Sequence, residues 1–122
     1  MQPNQFTIEQ RDGYVYLKTW GPMAMEGLEK PPDAALEVLK EGKCDKLLDD
    51  IRDVVMTGVN IDVQTKGVGI MWRLRAFKKV AILYKGQETE KIFFGTLEAM
   101  RLDTKFKGFE TEEEAVAWLT TE

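Results

Sequence analysis

Val80-Ala81-Ile82-Leu83-Tyr84 is a run of apolar residues that shows no alternation with polar ones. A strand with one face in water alternates apolar and polar side chains, whereas a strand covered on both faces does not. The run therefore predicts a central strand of a sheet that has layers packed on both of its faces. Such sheets are typical of α/β domains, in which helices form the outer layers.

The N-terminal segment predicts a β-hairpin. Residues 6–10 and 14–19 both alternate apolar with polar side chains, and Asp12-Gly13 lies between them. Two period-2 runs around an Asp-Gly dipeptide are typical of a hairpin. We expect Gly21-Pro22 to end the second strand.

The rest of the chain alternates helical and strand patterns. Because Pro31-Pro32 cannot lie inside a regular helix, the first helix is expected from about residue 32 to 41. Thr111-Glu112-Glu113-Glu114 is a capping box that predicts the start of the last helix. The other predicted helices cover about residues 60–76 and 89–100, and the other strands cover residues 46–51, with a loop at Arg52-Asp53, and 104–107.

The predicted element order is ββαβαβαβα. Strands that alternate with helices imply right-handed crossovers and parallel pairing, with the first hairpin strand as an antiparallel edge. The sequence therefore predicts a single α/β domain over residues 1–122, with one mixed five-stranded sheet and about four helices. A chain of 122 residues fits one domain of ordinary size.

Composition restricts the classes of function. The net charge of −4 argues against a broad nucleic-acid surface, which needs clustered Lys and Arg. The chain has no histidine and no serine, so Ser-His-Asp, Cys-His and His-based metal chemistry are excluded. We therefore expect a protein that is not an enzyme and that needs neither a cofactor nor a metal. The single cysteine and the lack of a signal-peptide pattern predict a soluble cytoplasmic protein.

These patterns resemble the anti-sigma-factor-antagonist (STAS) fold family, and in particular its uncharacterised stand-alone STAS-like branch. The resemblance covers nearly the whole chain and depends on motifs that are mostly structural. The matching segments are Gly21-Pro22, Leu47-Leu48-Asp49 followed by Arg52-Asp53, Phe77-Lys78-Lys79-Val80-Ala81-Ile82, and the terminal segment at residues 109–119. The resemblance implies a non-catalytic module that acts through protein-protein contacts.

The resemblance also implies a candidate phosphorylation site. Signalling members of the family carry a phosphorylatable Ser or Thr in a turn at the start of the second helix, and Thr57-Gly58 lies at the corresponding position here. No aspartate directly precedes Thr57, which departs from the family pattern. A phosphate at a helix N-terminus would be stabilised by free amides and the helix dipole, but a threonine and a glycine there are also typical of an ordinary turn and cap.

The second predicted helix offers a candidate contact surface. At 100° per residue its sheet-facing stripe is Val63, Gly67, Ile70, Leu74 and Phe77, which places Trp72 on the opposite face. Three interpretations remain open: Trp72 packs on a neighbouring element, it docks a partner or a second copy, or it contacts a membrane surface or lipid. The residues assigned to this partner or ligand surface are Val68, Met71, Trp72, Arg75 and Lys79.

A polar cluster follows the third predicted strand. Asp49, Asp50 and Asp53 are close in sequence at a strand end, where α/β sheets often place their sites. Carboxylates can bind a divalent cation, but Arg52 among them favours a structural ion-paired cluster over a metal site. The candidate residues of this strand-end cluster are Asp49, Arg52 and Asp53.

Two functions are therefore predicted, with a carboxylate-based enzyme as a distant third. The first is a protein-interaction module that is able to form a homodimer, and the second is a domain that binds a small apolar ligand or a lipid. A flat exposed patch at Trp72 would favour the first, and an apolar cavity between the helices that carry Trp72 and Phe93 would favour the second.

Overall fold

The computed structural model describes residues 5–23, 25–42, 44–55, 61–86, 98–99, 101–102 and 105–121. Its elements follow the predicted order wherever they are described. They are β1 (Gln5–Arg11), β2 (Tyr14–Pro22), α1 (Lys30–Lys40), β3 (Lys46–Val55), α2 (Ile61–Leu74), β4 (Lys79–Leu83), β5 (Phe106–Phe109) and α3 (Glu112–Leu119).

The strands form one mixed five-stranded sheet in the order β1-β2-β3-β4-β5. β1 pairs with β2 in antiparallel fashion, and every other pair is parallel. The hairpin turns at Gly13, whose φ of +90° is a conformation that glycine adopts without strain. The predicted sheet, its antiparallel edge and the internal position of β4 are therefore confirmed.

Two boundaries around the first helix and second strand differ from the prediction. α1 begins at Lys30 and holds Pro31 and Pro32 in its first turn, where the missing amide protons have no intrahelical acceptor in any case. β2 continues through Gly21 and Pro22, which lie opposite Val54 and Val55 of β3. The first turn of the helix therefore accommodates Pro31, which was expected just before the helix, and a long parallel neighbour accommodates Gly21 and Pro22, which were expected to end the strand.

The third strand is longer than predicted and irregular. Arg52 and Asp53, expected in a loop, lie inside β3. Lys18 pairs with Asp50 but Trp20 pairs with Asp53, so β3 carries one more residue than β2 between these pairs. Such a bulge reverses which face the following side chains occupy.

The helices cover the two faces of the sheet. α1 and α2 pack on one face, around a core that includes Val15, Leu17, Ala35, Leu47, Met71, Leu74, Val80 and Ile82. α3 packs on the other face, around Tyr14, Leu48, Ala81, Leu83, Ala115 and Leu119. Since both sides of β4 are covered, its uninterrupted apolar run is explained.

The last two elements agree with their local sequence signals. Thr111 caps α3, and its hydroxyl accepts from the Glu114 amide at 3.4 Å while donating to the Glu114 carboxylate at 2.8 Å. β5 starts at Phe106, later than the predicted residue 104. The helix predicted at residues 89–100 lies outside the described residues except for positions 98–99, so three helices are counted in the part of the chain that is described.

Candidate functional site

A partly open cavity of about 250 Å³ lies between α1, α2 and the sheet face that they cover. Its walls are mostly apolar. The sheet contributes residues such as Leu17, Ile51, Val54, Ile82 and Phe106, and the helices contribute others such as Pro31, Pro32, Val63, Gly67, Ile70 and Met71. The cavity thus separates α2 from close contact with part of the sheet that it faces.

Glycine at position 67 leaves part of this cavity empty. A Cβ added at Gly67 would meet no atom within 4 Å. Gly67, a member of the predicted sheet-facing stripe, therefore borders open space. A larger side chain at position 67 has room to enter the cavity.

The cavity wall contains one carboxylate, that of Asp49. Its neighbours across the ladder are Leu17 of β2 and Ile82 of β4, and both are apolar. Burial raises the pKa of the Asp49 carboxyl to about 7, and the charge of neighbouring Asp50 adds to the increase. Asp49 is therefore poised to change its charge near neutral pH.

Exposed apolar side chains lie on the segments that border the cavity. Met25 is 44% exposed, Val55 is 49% exposed and Ile61 is 71% exposed. Ile61 itself lines the cavity, and Val55 directly follows the lining residue Val54. A backbone hydrogen bond of 3.1 Å from Met23 to Val55 brings the segment before Met25 to the same place. We refer to Met25, Val55 and Ile61 as the apolar rim.

The candidate phosphorylation site cannot be compared with this geometry. Thr57 belongs to residues 56–60, which connect the end of β3 to the start of α2 and are outside the described residues. In sequence it falls between the rim residues Val55 and Ile61. Its phosphorylation therefore stays a prediction.

The structure separates the residues that were assigned to the Trp72 surface. Trp72 is 46% exposed, and the Arg75 guanidinium lies over its ring at 4.2 Å from the centroid. Met71, in contrast, is buried against the sheet and lines the cavity. Val68 also lines the cavity, which leaves Trp72 and Arg75 as the outward pair.

Lys79 lies on the opposite side of the sheet from Trp72. Its ammonium donates to the carbonyl oxygens of Trp118 at 2.9 Å and Thr121 at 2.6 Å, which ties the end of α3 to β4. The sequence analysis placed Lys79 beside Trp72 because it continued the helical periodicity to residue 79. In the structure α2 ends at Leu74, and Lys79 is the first residue of β4. It does not join the Trp72 surface.

The strand-end cluster is also divided. Asp49 faces the cavity, whereas Arg52 lies on the other face of the sheet, where it pairs with Asp50. Past the bulge, Asp53 forms a surface ion pair with Lys18 at 3.4 Å. The three predicted residues therefore do not form one cluster.

The ion pairing expected of Arg52 occurs at Asp50, which is only 1% exposed, whereas the sequence interpretation missed the part that Tyr16 plays there. The Asp50 carboxylate accepts from the Tyr16 hydroxyl at 2.7 Å, from the Arg52 amide at 3.1 Å, and from Nε and Nη2 of the Arg52 guanidinium at 3.0 and 2.9 Å. Burial alone would raise the pKa of Asp50, but these hydrogen bonds lower it. Burial and the bond to Asp50 raise the pKa of Tyr16 to about 12.

An Asp-Asp pair inside an apolar strand is the sequence signal that would have located both carboxylates. Adjacent strand residues point to opposite faces, so one of the two side chains must enter each layer. The Asp50 carboxylate is fully hydrogen-bonded on its face of the sheet, whereas the Asp49 carboxylate on the other face is not. The two residues are neighbours in sequence with different chemistry.

The described residues offer little for metal chemistry. Within them, no group of three or more Cys, Asp or Glu side chains is arranged to hold a metal ion. Nor does any helix in the described ranges have the length and apolar character needed to cross a bilayer.

Comparison with known proteins identifies the fold. No family model and no curated protein matches the chain. An uncharacterised protein of the DUF3478 family with a SpoIIAA-like fold, from Shewanella loihica PV-4, is 20% identical; the match covers 98% of this chain and 95% of that one, with a TM-score of 0.61.

Two anti-sigma factor antagonists are similar in the same way. One from Mycobacterium paratuberculosis is 14% identical, with coverages of 97% and 95% and a TM-score of 0.67. Unphosphorylated SpoIIAA is 15% identical, with coverages of 97% and 100% and a TM-score of 0.66. At these identities the likeness establishes architecture, and the chain therefore has the STAS-like fold of SpoIIAA.

Proposed function

We propose that this protein is a non-catalytic STAS-like interaction module and that a partner protein docks on the apolar rim. The observation that carries the proposal is the placement of exposed apolar side chains. Among the described residues, three of the four large apolar side chains that are exposed belong to the rim, and the fourth is Trp72. Apolar side chains gathered at one end of a domain are typical of an interaction surface.

The fold relatives support a role in protein contacts. Two of them are anti-sigma factor antagonists, a description that names another protein as their target. The paired state of Asp50, Arg52 and Tyr16 supports a non-catalytic role, because their hydrogen-bonding groups are engaged with one another. A cytoplasmic location is part of the proposal and is consistent with the single cysteine.

Two charge-introducing variants on α2 test where the partner docks. Ile61→Glu changes the rim, and Trp72→Glu makes the same kind of change at the other end of the helix. Proteins that co-purify with each tagged variant from the native source are quantified by mass spectrometry. A partner that is lost with Ile61→Glu and retained with Trp72→Glu supports the rim; the opposite pattern refutes it in favour of the Trp72 surface.

A homodimer remains a proposal for the Trp72 surface. The exposed indole with Arg75 stacked on it combines two residue types that are enriched at interface hot spots. Sedimentation equilibrium of the wild type and Trp72→Glu at increasing concentration provides the test. We expect the wild type to associate and the variant to stay monomeric; a wild type that stays monomeric at the highest concentration contradicts the proposal.

Binding of a small apolar ligand is the second candidate function, and the cavity is the observation that favours it. An apolar cavity of about 150 Å³ is large enough to bind benzene, and this one is about 250 Å³. It lies between α2, α1 and the sheet. The cavity that the sequence analysis considered, between the helices of Trp72 and Phe93, would involve residues outside the described ranges.

Two matched glycine variants test this second function. Gly67→Leu places a side chain in the cavity, whereas Gly69→Leu makes the same change at an exposed position of the same helix where an added Cβ also meets nothing within 4 Å. Both changes favour the helix. We expect 2-phenylethanol to shift amide NMR signals of the wild type and Gly69→Leu but not those of Gly67→Leu. Equal shifts in all three proteins would exclude the cavity as the binding site.

A further inference from the structure

The cavity contains a negative group that no basic residue balances. Asp49 is its one ionisable lining residue among those described, and the other polar side chains in its walls are Thr19, Gln64 and Thr65. No Lys or Arg of the described chain lines it. A ligand that fills the apolar space therefore meets one carboxylate and no cation.

The carboxylate of the adjacent residue, Asp50, is fully hydrogen-bonded and provides a comparison within the same sheet. Asp50 accepts hydrogen bonds from Tyr16 and Arg52 on the opposite face. The Asp49 carboxylate, by contrast, has no hydrogen bond or ion pair to any other residue in the described part of the chain. An ionised carboxylate that lacks partners in an apolar environment is costly, so it either holds a proton or meets a cation.

None of the charged residues on the two helices that cover Asp49 lines the cavity. Lys66 of α2 pairs with Glu29 at 3.4 Å, and Arg73 of α2 pairs with Asp33 of α1; none of these four residues lines the cavity. From the flanking strands, the cavity receives apolar side chains such as Leu17 and Ile82. The charge nearest to Asp49 in sequence is that of Asp50, which is also negative.

We propose that the cavity binds a small apolar molecule that carries one amino group, with its ammonium hydrogen-bonded to the Asp49 carboxylate. This inference rests on the second candidate function, binding of an apolar ligand in the cavity. The apolar part occupies the space beside Gly67 and Met71, and the ammonium supplies the charge that the walls lack. By scale with the cavity that binds benzene, the enclosed part of the ligand has about ten non-hydrogen atoms.

Three probes of similar shape distinguish the contribution of the head group to the affinity from that of the apolar part. They are 2-phenylethylamine, which is a cation at neutral pH, neutral 2-phenylethanol and anionic phenylacetate. NMR titration of the wild type is expected to show the amine binding at least about tenfold more tightly than the alcohol at pH 8, with phenylacetate weakest. The factor follows from the strength of hydrogen bonds to charged groups.

Asp49→Asn removes the charge with little change in shape. In this variant the amine and the alcohol are expected to bind with similar affinity. In the wild type the affinity for the amine should increase between about pH 6 and pH 8, because burial holds the Asp49 pKa at about 7 and the amine binds the ionised form. The variant should show no such increase. A purely structural role of Asp49 would not produce this pH profile.

The outcomes separate the two levels of the proposal. If the amine and the alcohol bind the wild type equally, and both are lost in Gly67→Leu, the cavity binds apolar ligands but the assignment of the amino group is wrong. If phenylacetate or the alcohol binds most tightly, the assignment is also wrong. If no probe binds the wild type, both the amine proposal and the ligand-binding function are overturned.

Discussion

Replacing Asp49 with asparagine should stabilise the protein at alkaline pH and have much less effect under acidic conditions. The carboxyl has an ordinary pKa of 3.8 in the unfolded chain and a pKa of about 7 when folded. Between these values the folded protein keeps a proton that the unfolded chain has lost. The free energy of unfolding therefore falls as pH rises from about 4 to about 7 and no longer depends on Asp49 above that range.

The magnitude follows from the size of the shift. Each pKa unit corresponds to 1.36 kcal/mol, so a shift from 3.8 to about 7 amounts to about 4 kcal/mol over the full window. Between about pH 4.5 and pH 8 the expected change is about 3 kcal/mol. Asparagine does not titrate, so the free energy of unfolding of Asp49→Asn relative to the wild type should increase by this amount from the lower to the higher of these two pH values.

Urea unfolding of both proteins at the two pH values measures this growth. For a domain of this size, 3 kcal/mol corresponds to a difference of about 2 M in the urea midpoint. Asp53→Asn is the matched control, since its side chain is 59% exposed and pairs with Lys18 on the surface. Its effect should stay within about 1 kcal/mol at both pH values. A stability difference for Asp49→Asn that is the same at both pH values would refute the argument.

Three further outcomes are expected. Tyr16→Phe removes a 2.7 Å hydrogen bond to Asp50 and should lower the free energy of unfolding by about 2 kcal/mol in urea at pH 7; an unchanged midpoint would show that Asp50 is satisfied without it. Thr111→Ala removes the cap that accepts from the Glu114 amide and should cost about 1 kcal/mol in the same assay, and a neutral result would contradict the capping role. Mass spectrometry of the protein purified from its native source should find one phosphate at Thr57, and the absence of a phosphorylated Thr57 peptide would contradict that prediction.

Local chemistry made much of the architecture predictable from the sequence. Asp12-Gly13 favours a tight turn, Thr111 and Glu114 favour a helix start, and the apolar run from Val80 requires cover on both faces. Each signal acts over a few residues, so it does not depend on distant pairing. These are the elements that the structure confirms.

The candidate site depended on long-range pairing instead. Whether Asp49 enters the cavity and Asp53 meets Lys18 depends on the register of β3 against β2 and on the bulge between their pairs. Lys79 does not belong to the Trp72 surface because α2 ends at Leu74 and a strand begins five residues later. The helical periodicity of the sequence does not show where the helix ends.

The sequence by itself determined the layers, the order of the elements and the absence of histidine and serine chemistry, because these depend on composition and short-range pattern. Only the tertiary structure decided that one carboxylate of the Asp49-Asp50 pair is neutralised while the other faces an apolar cavity. Adjacent strand residues point to opposite faces, and the groups that each side chain meets come in part from distant segments: Tyr16, together with nearby Arg52, for Asp50, and α1 with α2 for Asp49.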